Sequence, residues 1–242
     1  MSEQQRPAAD VQDPGVRDNI VAARRRLEQA LKRAGRGHDS ALLLAVSKTK
    51  PVAMLREAFA AGQRHFGENY LQEALEKQQA LADLEGIEWH FIGALQSNKT
   101  HDVACHFDWV HTVDRLKIAR RLSDARPAER GPLNICLQVN ISREEAKSGV
   151  DPQALAALAE QVIALPGLQL RGLMAIPAQE EDEERQRVPF AELRRLLASL
   201  AERHPEAPLD TLSMGMSGDL EAAVAEGATI VRLGTALFGA RR

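Results

Sequence analysis

The stretch Leu42-Leu43-Leu44-Ala45-Val46-Ser47-Lys48-Thr49-Lys50-Pro51 decides the fold. Its apolar run is too short for a buried helix and stops at two lysines and a proline. Continuous hydrophobicity over so few residues predicts a strand buried on both faces, as in a parallel sheet. Pro51 cannot continue that strand and suits the first turn of a helix. Lys48 therefore stands where strand gives way to loop, the end at which α/β folds gather their chemistry. Two roles are open to it. Its stem can pack while the ammonium reaches water. Alternatively, partly apolar surroundings disfavour the charged form and leave a free amine able to attack a carbonyl.

Upstream, Ile20, Val21, Leu27 and Leu31 recur at helical spacing, and Gly35 offers a stop, which predicts a helix over 16–34. Downstream, strand and helix signals alternate. Strands are expected at 42–47, 64–66, 88–92, 108–112, 133–139, 168–174, 210–213 and 229–233. Between them helices are expected over 52–61, 70–82, up to about 106, 115–125, 152–164, 188–203 and 218–226, with a short one at the end. Eight alternations predict a single (β/α)8 TIM barrel with an extra N-terminal helix. Residues 1–14 read as a disordered leader and 15–242 as one domain.

With 242 residues the chain has the length of one such barrel and can bury a core without staples. A formal net charge of -3 gives no global pull toward nucleic acid or an anionic membrane. The cluster Arg24-Arg25-Arg26 lies in the helical pattern among acids and reads as a solvated face. Cys105 and Cys136, the only cysteines, make no disulfide framework and fit a reducing cytoplasm. No apolar run approaches a membrane span, and the polar start lacks a signal peptide's centre. The acidic run 180–184 reads as a mobile solvated loop, since adjacent carboxylates without a glycine turn make no calcium site. His101, Cys105 and His106 share one helix, but nothing completes a zinc set, so no metal is expected.

In a barrel the functional residues belong at the C-terminal strand ends. Lys48 and Lys50 follow the first strand, and Asn69 follows the second. His90 alternates onto the face of Ile92, opposite Trp89 and Phe91, and reads as a core histidine. Ser213-Met214-Gly215-Met216-Ser217-Gly218-Asp219 follows the seventh strand, and the eighth carries Arg232-Leu233-Gly234-Thr235. Those last two loops are where barrels bind phosphate, through main-chain N–H groups and hydroxyls. An aldehyde that also bears a phosphate would use both the amine and these loops, which points to pyridoxal 5'-phosphate (PLP). Lys48 would bond its aldehyde, and Arg232 would face the ring. Arg232 also has a plainer role open to it, a salt bridge to a strand-end acid.

VSKTKP, AGQRHFGENYLQE, WHFIGALQSNK, LQVN, KSG, GLM, LSMGMSGD and VRLGTALFG together resemble the YggS/PROSC family of PLP homeostasis proteins, over about Leu42 to Gly239. The resemblance implies a barrel like the N-terminal domain of alanine racemase. It implies that Lys48, not Lys50, carries the Schiff base (aldimine) to PLP, with Asn69 beside the cofactor and Arg232 at the pyridine nitrogen. Ser213, Gly234 and Thr235 would hold the phosphate, with Met214 and Ser217 close by. No departure from the pattern falls at these positions.

The expected function is intracellular buffering or delivery of this vitamin B6 cofactor without robust turnover, by a monomer that serves PLP-dependent apo-enzymes. A racemase needs an acid/base on each face of the substrate carbon, and Lys48 supplies one. In the racemases a tyrosine from a second domain supplies the other, whereas this sequence stops after the eighth strand. Tyr70, the sole tyrosine, reads as a packing or capping residue. Two alternatives stay open: a PLP-dependent racemase or weak transaminase, and an aldolase-like barrel using Lys48 on a sugar-phosphate aldehyde with no cofactor.

Overall fold

A computed structural model describes residues 15–144 and 147–240. The apolar run forms β1 (Leu42–Val46), preceded by α1 (Val16–Arg33). There follow α2 (Val52–Ala60), β2 (His65–Glu68), α3 (Leu71–Ala80), β3 (Glu88–Phe91), α4 (Thr100–His106), β4 (Trp109–Val113) and α5 (Leu116–Ala125). After a 3-10 turn at Ala128–Arg130 come β5 (Leu133–Gln138), α6 (Leu155–Ile163), β6 (Leu168–Met174), α7 (Glu183–Arg203), β7 (Thr211–Ser213), α8 (Leu220–Ala225), β8 (Ile230–Leu233) and α9 (Thr235–Phe238). Each strand pairs in parallel with the next, and β8 returns to β1, where Leu44 lies opposite Arg232. The result is a closed (β/α)8 TIM barrel, as the alternation predicts. The expected leader, 1–14, lies outside the described residues.

Closure divides the apolar interior in two. Residues facing outward from the strands, such as Phe66, Phe91, Val110 and Leu137, pack against the helices in one large core. Inside the barrel a smaller group, Leu44, Trp109, Cys136, Met174 and Ile230, fills the axis. Alternation along β3 holds: Ile92 packs inward, while Trp89 and Phe91 join the outer core. The extra helix α1 buries Ile20, Leu27 and Leu31 and anchors to α8, where Arg26 grips Glu221 with two bonds of 2.7 and 2.6 Å. No helix among the described residues is long and apolar enough to cross a membrane.

Several boundaries shift by one to three residues, and two differences have a clear local reason. β2 runs on through Gly67 and Glu68, which read as loop. Gly67 belongs in the strand because a Cβ there would sit only 3.3 Å from the Leu44 side chain inside the barrel. Glu68 can be buried because a lysine reaches it. Helix α7 starts at Glu183 rather than 188, so the acidic run is not all loop. Asp182 caps the helix by accepting from the Arg185 N–H at 2.9 Å, and Glu183 and Glu184 occupy the first turn, where the helix dipole favours anions. Pro189 removes one bond inside the helix, but Phe190, Leu193, Leu197 and Leu200 bury its face.

Candidate functional site

The loop after β1 is held from below by a buried ionic network. Lys77, on the inner face of α3, is 4% exposed, and Glu68 is fully buried. Lys77 Nζ donates to Ser47 O (2.7 Å), Glu68 Oε1 (2.7 Å) and Glu73 Oε1 (2.6 Å). Ser47 Oγ also donates to Glu68 Oε1, at 2.7 Å. Burial raises the Glu68 pKa above the usual carboxylate value, and Lys77 opposes the shift. Thr49 takes a left-handed φ of 62°, costly for a β-branched residue, and its N–H is pinned to Glu73 Oε1 at 2.6 Å. This turn sends the two lysines apart. Lys50 Nζ donates to the carbonyls of Phe238, Gly239 and Ala240 at 3.2, 2.8 and 3.0 Å, closing the end of α9. Lys48 instead lines a cavity of about 710 Å3 at the C-terminal mouth of the barrel.

Asn69, Ser217, Arg232, Gly234 and Thr235 line the same cavity. Asn69 Oδ1 is buried there and, among the described residues, has no hydrogen-bond partner. Gly93 makes its position possible, because a Cβ on Gly93 would fall 2.1 Å from the Asn69 carbonyl oxygen. Arg232 is 5% exposed. Its Nη1 donates to Ser213 Oγ (2.8 Å) and its Nη2 to Ala175 O (3.0 Å). Among the described residues no carboxylate lies within ion-pair distance of it, so the plainer salt-bridge role is not the one it has. Burial lowers its pKa to about 10, with Asp219 opposing the shift, which leaves the guanidinium charged at neutral pH. A buried cation facing a cavity, with Asp219 near but not in ion-pair contact, suits an electron-rich or anionic guest.

The loop after β7 is laced to β8: Met214 N–H donates to Ile230 O at 3.1 Å, and Arg232 N–H to Gly215 O at 2.9 Å. Gly215 has a φ of +92°, and a Cβ there would lie 2.6 Å from the Ala223 Cβ, so the turn requires glycine. Ser217 and Thr235 are exposed to the cavity. Ser213 and Met214 are not part of its lining: both are fully buried, and the Ser213 hydroxyl is engaged with Arg232 and His111. Glu180 and Glu181 reach the rim, where Gln186 Nε2 ties the Glu180 carbonyl (2.7 Å) to that of Gly218 (3.2 Å). Tyr70 is 52% exposed and outside the lining.

A polar chain runs down the barrel axis from Arg232. His111 Nδ1 lies 2.8 Å from Ser213 Oγ, His111 Nε2 is 2.9 Å from His90 Nδ1, and His90 Nε2 is 3.2 Å from His65 Nδ1. Burial lowers the pKa of His111 to about 3 and takes that of His90 well below the usual imidazole value. Both rings are therefore neutral and carry one N–H each. His90 is the core histidine its position predicts. Sequence reasoning missed Lys77, Glu68 and His111. The spacing of Leu71, Ala74 and Lys77 put a lysine on an apolar helix face, which was the available signal for the first.

Comparison with known proteins adds to this geometry. The model of the alanine racemase N-terminal domain matches residues 19–242. The PLP homeostasis protein of Pseudomonas aeruginosa is 60% identical over 226 residues, covering 93% of this chain and 96% of that protein. Its counterpart in Escherichia coli is 52% identical over 228 residues, covering 93% and 97%. Among solved structures, PipY of Synechococcus elongatus, with PLP bound, superposes with a TM-score of 0.82 at 41% identity, covering 93% of this chain and 100% of that one. Alanine racemase of Corynebacterium glutamicum shares the fold, with a TM-score of 0.66 at 22% identity over 93% of this chain and 61% of its own.

Proposed function

This chain belongs to the alanine racemase N-terminal domain family, and on that footing we propose that it binds PLP for cofactor homeostasis, buffering or delivering it rather than turning over a substrate. The observation that carries the reading is the cavity shared by Lys48 and the buried Arg232, beside the two glycine-containing loops. Its volume, about 710 Å3, lies in the range of small-molecule sites. Bound PLP supplies an aldehyde for a Schiff base and an electron-poor ring. Lys48 Nζ is the nucleophile that holds it. Asn69 Oδ1, buried with no partner among the described residues, offers an acceptor for a polar group of the ring. Ser217, Gly234 and Thr235 receive the phosphate.

Arg232 addresses the pyridine nitrogen, and Ser213 acts through it as a positioning residue. A fixed cation at that nitrogen opposes its protonation and weakens the electron sink a carbanion needs. With Tyr70 outside the cavity, no tyrosine stands ready as a second acid/base opposite Lys48. Residues 15–242 act as one binding domain, working as a monomer and supplying PLP-dependent apo-enzymes.

The test is reconstitution with PLP and reduction with borohydride. A yellow protein should lose its colour, and peptide mapping should find the adduct on Lys48. A colourless protein that traps a sugar phosphate at Lys48 would support an aldolase-like enzyme instead. Incubation of the yellow protein with single-enantiomer amino acids in deuterated water should give negligible exchange at Cα. Rapid exchange with inversion would establish a racemase.

Gly93→Ala supplies a separate check on Asn69. The new methyl meets main chain, which cannot yield like the end of a flexible side chain, so Asn69 must move. PLP binding, followed by absorbance titration, should weaken by about tenfold or more, on the scale of losses from small displacements in a site. Unchanged affinity in a folded variant would remove Asn69 from the site.

A further inference from the structure

At the opposite, N-terminal end of the barrel a second cluster stands apart from the cavity. We propose that His65, Glu88 and His90 form a zinc site there. His65 and Glu88 are the first residues of β2 and β3 and lie side by side in the register, with His90 next inward on β3. His65 Nδ1 is 3.2 Å from His90 Nε2 and 3.5 Å from Glu88 Oε2, and the three ligand atoms lie within 4.8 Å of one another. Tetrahedral zinc with bonds of about 2.0–2.1 Å places neighbouring ligand atoms about 3.3 Å apart. The two shorter separations already have that length. The third closes by rotation of the Glu88 side chain, which is 49% exposed.

The surroundings favour an ion as well. Beyond the cluster, His90 is fixed by its other nitrogen, 2.9 Å from His111 Nε2, and by stacking on Trp109 at 5.4 Å with an interplanar angle of 8°. If His90 Nδ1–H donates to His111, the Nε2 lone pair points to the rim, which is how an outer hydrogen bond orients a ligating imidazole. No lysine or arginine among the described residues lies within 4 Å of the Glu88 carboxylate. The nearby Arg64 is turned aside, donating to the Phe59 and Gln63 carbonyls at 2.9 and 3.0 Å over the Phe59 ring. Asp108 adds negative charge near His65 but is engaged by Arg130 at 2.9 Å. His65 also borders a cavity of about 480 Å3, which Glu88 and His90 do not line, and the half-exposed Glu88 side chain leaves the rim of the cluster open to solvent. Two histidines and one glutamate with an open position make a recognised zinc donor set.

Titration of the untagged full chain with Zn2+ against a chromophoric chelator, and with Co2+ as an optical probe, tests this without reference to PLP. One equivalent should bind, and Co2+ should give the visible bands of a low-coordinate nitrogen–oxygen site. His65→Gln and Glu88→Gln, both at the rim, should each weaken binding by about tenfold or more, with folding checked by circular dichroism. Cys105→Ser should leave it unchanged, since Cys105 Sγ and His101 Nε2, 4.0 Å apart, form the competing surface pair. Absence of stoichiometric binding, affinity unchanged from the parent in both rim variants, or loss confined to Cys105→Ser would each overturn the proposal. The two imidazoles would then be joined by a simple hydrogen bond.

Discussion

Lys48→Ala should abolish borohydride-fixed attachment of PLP while leaving weaker, phosphate-dependent binding. The loss should be a hundredfold or more in Kd, about 2.7 kcal/mol, because the covalent link disappears while the loop contacts and Arg232 remain. Lys50→Ala is the informative companion. Its amine is engaged by three carbonyls at the end of α9, so its removal should loosen the C-terminus and keep the adduct. Mass mapping after reduction reads the first effect, and competition between PLP and pyridoxal reads the second. An adduct surviving on Lys50 would overturn the assignment of the nucleophile. Equal affinity for pyridoxal and PLP in Lys48→Ala would remove the phosphate from the last two loops.

The largest effect on stability is expected at a residue that touches no ligand. Lys77→Met leaves the Glu68 carboxylate buried without its cation and strips a donor from the Ser47 carbonyl. Removing one partner of a buried pair costs about 3–5 kcal/mol. The deficit should depend on pH. The folded-state pKa of Glu68 is already raised by burial, and losing Lys77 raises it further. Between the unfolded and folded pKa values the folded state then binds more protons, so stability falls as pH rises through that window. The penalty is complete above the folded pKa and is relieved in acid. Urea denaturation at several pH values should show the gap from the parent narrowing as pH falls. Glu68→Gln placed on Lys77→Met should recover part of the loss at neutral pH. A deficit under about 1 kcal/mol, or one flat with pH, would mean the network contributes little.

The two lysines show where reading a sequence stops. Both follow the same strand; the strand-end position favoured Lys48, and only the resemblance excluded Lys50. The structure separates them through the left-handed turn at Thr49, which turns Lys50 to carbonyls some 190 residues further along the chain. Ser213 is the converse case. Its place in a Ser/Gly loop suggested a phosphate contact, yet the strand carries it inward to Arg232 and His111. The cluster of His65, Glu88 and His90 was invisible for a related reason: ligands on two adjacent strands show no ligand spacing along the chain.

Periodicity was enough to establish eight strands, their order and the end of the barrel that carries Lys48, Asn69 and Arg232, because alternation and burial are local properties of a chain. Closure of the sheet settled the rest. It decided which amine and which arginine face the cavity and which histidines meet on the axis. Those outcomes depend on hydrogen bonds and charges between residues far apart in the chain, whose distances exist only once the first strand has met the last.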